Sequence, residues 1–137
     1  MKIALISSVS FFKETVEVGN RLEKLGHSVI LPHNFENYAK GKIPPEKGNE
    51  STAKKIENDL IRQYFNEIKN SDAVLIVNKS KNNIENYIGG NGFLEMGFAH
   101  VLNKKIFLLN SVPDMQYSDE ILAMEYTVIN NDLTKIN

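Results

Sequence analysis

The stretch YIGGNGFLEMGFAHVLN, Tyr87–Asn103, combines the residue types most able to do chemistry in this chain. Gly89, Gly90 and Gly92 surround Asn91 in a glycine-rich turn, and without Cβ atoms such a turn lets a ligand approach the backbone closely. Phe93/Leu94, Phe98 and Val101/Leu102 then recur at helical spacing, so the turn leads into a helix. The N–H groups at a helix start favour an anion. Glu95 is expected in the first turn, where the helix dipole favours a charged carboxylate by roughly 0.3–1 kcal/mol. A fixed, ionised carboxylate beside an anion cradle makes Glu95 the first candidate for a functional residue. The bland alternative is a tight turn closing a loop, with an acid placed only for the dipole. The pattern is not a P-loop, which needs Lys and Ser/Thr, nor the spaced G-x-G-x-x-G of dinucleotide folds, and both of those follow a first strand.

The elements that must position Glu95 alternate along the chain. Lys2–Ile6 is an apolar run ended by Ser7, Ser8 and Ser10, and reads as a buried strand. Thr15–Leu25 has helical spacing and stops at Gly26. His27–Leu31 is a second strand, ended by Pro32. From His33 to about Ser51 the chain is polar, with Gly41, Pro44, Pro45 and Gly48, and no regular element is expected there. Thr52 is a candidate cap for a helix with Ala53, Ile56, Leu60, Tyr64 and Ile68 on one face. Ala73–Val77 is a third strand, and Asn78–Gly90 a second long polar loop, whose stretch Asn78–Asn86 reads as a lid or only as a mobile loop. Lys105–Leu109, a helix at Asp119–Met124 and a strand at Tyr126–Ile129 complete the order.

Strands that are apolar throughout and alternate with helices imply an α/β fold, a parallel sheet covered on both faces. Five of them suggest the doubly wound, flavodoxin/Rossmann-like order 2-1-3-4-5, with ligands bound beyond the carboxyl ends of the strands. The serine cluster, the loop after strand two and the glycine-rich loop all leave that edge. Asp72 begins strand three at the far edge and reads as a turn residue. His33 could reach the site, whereas His27 lies at the wrong edge and His100 beyond the reach of Glu95.

The chain has 137 residues, which suits a single domain over 1–137. Its formal net charge of −1 argues against a nucleic-acid surface. With no cysteine there are no disulfides or thiolate metal sites, and no His/Asp/Glu spacing implies a metal. No cofactor is expected. MKIALISS is too short an apolar run for a signal peptide, and no stretch approaches the ~20 apolar residues of a membrane span. A cytoplasmic location follows, with no membrane partner.

Asp72-Ala-Val-Leu-Ile-Val, the glycine-containing loop, Phe93-Leu94-Glu95-Met96-Gly97-Phe98-Ala99 and Lys104-Lys105-Ile106-Phe107-Leu108 together resemble the nucleoside 2-deoxyribosyltransferase superfamily, which includes nucleoside 5'-monophosphate N-glycosidases. The matching signature is Glu-x-Gly-x-Ala at a helix start, followed by a lysine that opens a strand. The resemblance implies that Glu95 attacks the anomeric carbon of a (deoxy)ribose and expels the nucleobase, through the covalent logic of a retaining glycosidase. It implies that Phe11 and Phe12 stack on the base, or pack against the first helix. Ser7, Ser8 and Ser10 would hydrogen-bond ribose or phosphate, or cap the next segment. Gly89, Gly90, Asn91 and Gly92 would meet sugar or phosphate, and Gly97 would let its helix pack closely on a neighbour. Tyr64 stands where transferases carry a helix carboxylate, and Gly89 where Asp or Ser is common. Tyr64 could bond a base or sugar hydroxyl, but its ordinary pKa near 10 makes it a poor proton relay.

The resemblance implies a small-molecule nucleoside or nucleotide as partner and a homodimer or higher homo-oligomer. Met115, Tyr117, Met124 and Tyr126 are candidates for an intersubunit contact or for the core. Hydrolysis of a monophosphate is favoured over base exchange, because the usual transferase carboxylates are missing. Two alternatives remain: a catalytically silent nucleotide-binding or sensor domain, and a lysine-decarboxylase-like phosphoribohydrolase, whose Gly-Gly-x-Gly-Thr-x-x-Glu motif Gly89–Glu95 partly echoes.

Overall fold

The computed structural model describes residues 1–45, 56 and 59–137. Five parallel strands form one sheet: β1 (Lys2–Ile6), β2 (Ser28–Ile30), β3 (Ala73–Ile76), β4 (Lys105–Leu108) and β5 (Thr127–Val128). The order is β2-β1-β3-β4-β5, as the sequence predicts. β1 runs in register with β3 from Ile3↔Ala73 to Ile6↔Ile76, and β3 with β4 from Ala73↔Lys105 to Ile76↔Leu108. The central strands are sealed on both faces, which is why they read as unbroken apolar runs.

Helix α1 (Phe12–Lys24) is entered through a 3-10 turn, Val9–Phe11, capped by the Ser8 hydroxyl. It ends in a Schellman motif: Gly26 takes φ +95°, and the His27 and Gly26 N–H groups donate to Leu22 and Glu23 carbonyls at 3.1 and 3.0 Å. The connection after β2 is not structureless. It holds a short helix, α2 (Phe35–Ala39), entered through Asn34 at φ 66°. Five residues are too few for a hydrophobic period to register, so packing rather than pattern makes this helix. Phe35 and Tyr38 are buried, and Tyr38 meets the Phe12 ring edge-on at 5.9 Å.

Thr52 and Ala53 lie outside the described residues, so the expected cap there has no counterpart to compare. Helix α3 (Leu60–Lys69) follows Asp59, itself at φ 51°. Helix α4 (Gly90–Val101) follows β3, and α5 (Ser118–Leu122) follows β4. Gly90 and Gly92 are therefore helical, with Gly89 as the N-cap. A glycine inside a helix costs about 0.5–1 kcal/mol relative to alanine. At Gly92 packing explains it, because a Cβ would stand 3.4 Å from both Ile6 and Ile88. At Gly97 nothing lies within 4 Å of a Cβ, so the close packing expected of that glycine is absent.

One core lies between α1 and the sheet, built from Ile3, Leu5, Leu22, Leu75 and Phe107, and closed by Leu133 and Ile136. The other lies under α3, α4 and α5, around Tyr64, Ile68, Met96 and Ile121. Tyr117, Met124 and Tyr126 pack against this second core. Tyr117 stacks on Phe93 at 4.5 Å and donates its hydroxyl proton to the Ile88 carbonyl. At the carboxyl edge, Asn78 is fully buried and exchanges three bonds of 2.9 Å with Asn110, which ties the ends of β3 and β4 together.

Candidate active site

In this strand order the direction of winding reverses between β1 and β3, and a cleft opens at their carboxyl ends. Its cavity volume is about 150 Å³. Ser7 and Val9 reach it from the end of β1, and Pro32 and His33 from the end of β2. Phe35 and Tyr38 of α2 line it, as do Leu60 and Tyr64 of α3 and Asn91 and Glu95 of α4. The two pairs on α3 and α4 are each four residues apart, so each helix presents one stripe to the cleft. Beside these stripes, Phe65 and Phe98 meet edge-to-face at 5.2 Å and hold the two helices together.

Glu95 is half-buried and lies in the second turn of α4, not the first. The reason is that the glycines form the first turn themselves. The dipole effect falls off within that first turn, so the expected dipole support for its charge is reduced. What α4 supplies is position. A second, smaller cavity of about 50 Å³ adjoins Glu95 and Asn91, walled by Leu60, Ile61, Leu94 and Phe98.

Tyr64 is buried and donates its hydroxyl proton to the Leu5 carbonyl, with the Ile30 carbonyl 3.5 Å away. Burial first, then the Glu95 and Glu67 carboxylates, push its phenol well above the ordinary value. At neutral pH it is a fixed neutral donor that ties α3 to β1. Ser7 shares a 2.7 Å hydrogen bond with the buried Thr15 hydroxyl, which in turn donates to the Phe11 carbonyl at 2.7 Å. Ser7 is thereby oriented by α1.

The cleft thus gathers Glu95, Asn91, Ser7, Tyr64 and His33 from the residues singled out in the sequence. Others stand elsewhere. Phe11 is buried at the start of α1, and Phe12 lies behind Tyr38, one ring removed from the cleft. Ser10 is exposed, and Ser8 caps the 3-10 turn. Gly92 faces the core, Gly89 lies under the Tyr87 ring, and Gly90 has open space where a Cβ would be. Asp72 accepts the Lys2 N–H at 2.7 Å, and His27 meets the N-terminal amine at 3.0 Å, both at the opposite edge. The Asp59–Arg62 pair, 3.1 Å apart, is solvent-exposed.

Sequence reasoning missed Phe35 and Tyr38, and read Leu60 only as part of a helix face. The only available signal was the i, i+3 spacing of two aromatics within a polar connection. Among the described residues no three His, Cys, Asp or Glu side chains gather as a metal site, and no helix is long and apolar enough to cross a membrane.

No protein-family model matches the sequence, and no curated protein matches it either. A solved structure does: the CMP N-glycosidase BcmB of Clostridium botulinum, at a TM-score of 0.53 over 98% of this chain and 93% of that one, with 14% sequence identity. The chain shares the fold of a nucleotide N-glycosidase, the fold that the resemblance to the deoxyribosyltransferase superfamily implies.

Proposed function

We propose that this protein cleaves the N-glycosidic bond of a nucleoside or nucleoside 5'-monophosphate, with Glu95 as nucleophile. The observation that carries this reading is the place of Glu95: half-buried on a helix, in the cleft at the switch point, beside Ser7, Tyr64 and Asn91. The shared fold with a CMP N-glycosidase supports the same reaction class and a nucleotide rather than a free nucleoside.

A Glu95 carboxylate oxygen attacks the anomeric carbon as the carbon–nitrogen bond breaks, and that bond's electron pair leaves with the base. The glycosyl ester is then opened by water, which regenerates the carboxylate and releases the sugar. Tyr64, held neutral, takes no proton in either step. His33 lines the same cleft, and an imidazole can carry a proton and give it up, so it is the side chain assigned to protonate the leaving base. Ser7 and Asn91 provide hydroxyl and amide groups for sugar oxygens, and Phe35 and Tyr38 provide aromatic surface for the base. Gly90, exposed with open space above it, leaves the start of α4 accessible to a sugar or phosphate.

Hydrolysis is favoured over base exchange because a tyrosine, not a carboxylate, occupies position 64. The enzyme would work in the cytoplasm as a homo-oligomer. Ile61 and Leu94, 50% and 42% exposed beside Glu95, are the surface a second copy would cover.

The test is chromatographic release of free base from a panel of ribo- and deoxyribonucleosides and their 5'-monophosphates, with and without an acceptor base. Wild type and Glu95→Ala run side by side. Release that requires Glu95 is expected, without dependence on the acceptor. Ligand binding with no release from any substrate would replace this reading with a silent nucleotide-binding domain.

A further inference from the structure

The loop between β3 and α4 is a built element. Lys81 and Ile84 pair as an antiparallel bridge through bonds of 3.0 and 2.9 Å. Asn82 and Asn83 between them take φ 53° and 62°, the left-handed pair that a type I′ turn requires. The Tyr87 N–H closes the base of this hairpin on the Lys79 carbonyl at 2.8 Å.

The hairpin fixes one charge. The half-buried Lys81 ammonium donates to the Ser8 hydroxyl at 3.0 Å and stands 5.2 Å from the centre of the Tyr87 ring. Ser8 adjoins Ser7, which lines the cleft, and the Tyr87 ring covers Gly89, the N-cap of the helix that carries Glu95. Lys81 is thereby tied to both segments that lead into the site. Among the described residues it has no carboxylate at ion-pair distance. Ser8 Oγ accepts from Lys81 and from the Ser10 N–H, at 3.4 Å, which leaves its own proton for an acceptor that the described residues do not supply. An ammonium and a hydroxyl proton held together at a cleft rim, with no anion of the chain's own, form a donor pair for an anion from solution.

We propose that Lys81, with Ser8, binds the 5'-phosphate of the substrate and so selects nucleotides over nucleosides. This rests on the reading of the Glu95 cleft as a nucleotide site. The plainer role for such a lysine, pinning its loop through Ser8 and the Tyr87 face, predicts no preference between phosphorylated and unphosphorylated ligands.

The test reads binding without turnover. Isothermal titration on Glu95→Gln protein compares nucleoside 5'-monophosphates with their nucleosides, and ribose 5-phosphate with ribose. Lys81→Gln and Lys81→Arg are introduced on that background, and the unliganded melting temperature of each checks folding. Lys81→Gln is expected to cut the preference for the phosphorylated ligand by about 10- to 100-fold, the scale of one lost hydrogen bond to a charged group. Lys81→Arg should restore most of it, and Ser8→Ala should cost a smaller part. An unchanged preference in Lys81→Gln, or no phosphate preference in the parent protein, overturns the proposal. Phosphate selection through Lys81 without base release by the Glu95-intact enzyme would keep this inference and discard the glycosidase reading. Glu95-dependent base release with no effect of Lys81→Gln on the preference would do the reverse.

Discussion

The two faces of the sheet are built from different materials. The face under α1 is closed with hydrocarbon: Ile3, Leu5, Leu22, Leu75, Leu109, Ile129, Leu133 and Ile136, with the Phe107 ring among them. The face under α3 and α4 includes Tyr64 and Met96 in its core, with Phe93, Phe98, Tyr117 and Tyr126 packed against it. Leu5 belongs to both accounts, since its side chain fills the first core while its carbonyl takes the Tyr64 proton from the second. The first face holds the strands in place. The second carries the polar stripe that opens into the cleft, and a change there should be felt in chemistry before it is felt in stability.

Four substitutions sharpen or break that contrast. Glu95→Gln should lower the rate of base release by about 10³-fold, close to 4 kcal/mol of transition-state stabilisation, while leaving the urea midpoint nearly unchanged. Leu22→Ala on the opposite face should do the converse. Leu22 is fully buried, and its truncation should cost about 3 kcal/mol in urea unfolding with KM preserved. If Leu22→Ala instead disturbed KM first, the separation of the faces would be wrong.

Tyr64→Phe should cost about 1 kcal/mol at neutral pH, for the bond to Leu5. It should also change the alkaline limb of the stability profile. The folded-state pKa of Tyr64 is raised, so its contribution is fully present below the unfolded value near 10 and is lost as pH rises through the folded value. Unfolding followed by circular dichroism above pH 10 should therefore fall less steeply in Tyr64→Phe than in wild type. The smallest effect is expected at Val101, 78% exposed at the end of α4. Val101→Ser should stay within about 0.5 kcal/mol of wild type, and a larger loss, or a change of elution volume, would show that this end of the helix is covered in solution.

The strands and their order were legible because each central strand is a short apolar run with turn residues at both ends, a signal that survives without tertiary context. Glu95 was legible for a similar reason: it sits among apolar residues at helical spacing, after unusual glycines. Its place in the helix was not. Glycine is a poor helix former, so Gly90 and Gly92 read as turn, and only the contact of Gly92 with Ile6 and Ile88 explains its helical position. The aromatic wall was hidden because Phe35 and Tyr38 gain their positions from Phe12 and α1, far away in sequence. Lys81 was hidden because its importance lies in a contact across 73 residues, with Ser8.

The central claim, a covalent bond between Glu95 and the sugar, is tested most directly by trapping that intermediate. A 2-fluoro-arabinosyl nucleoside 5'-monophosphate slows the second step, so intact mass spectrometry followed by peptide mapping reads the adduct. The account predicts one added glycosyl group per chain, on the peptide that contains Glu95, and none in Glu95→Gln. Base release from the same compound with no adduct, or with an adduct on another residue, would contradict it.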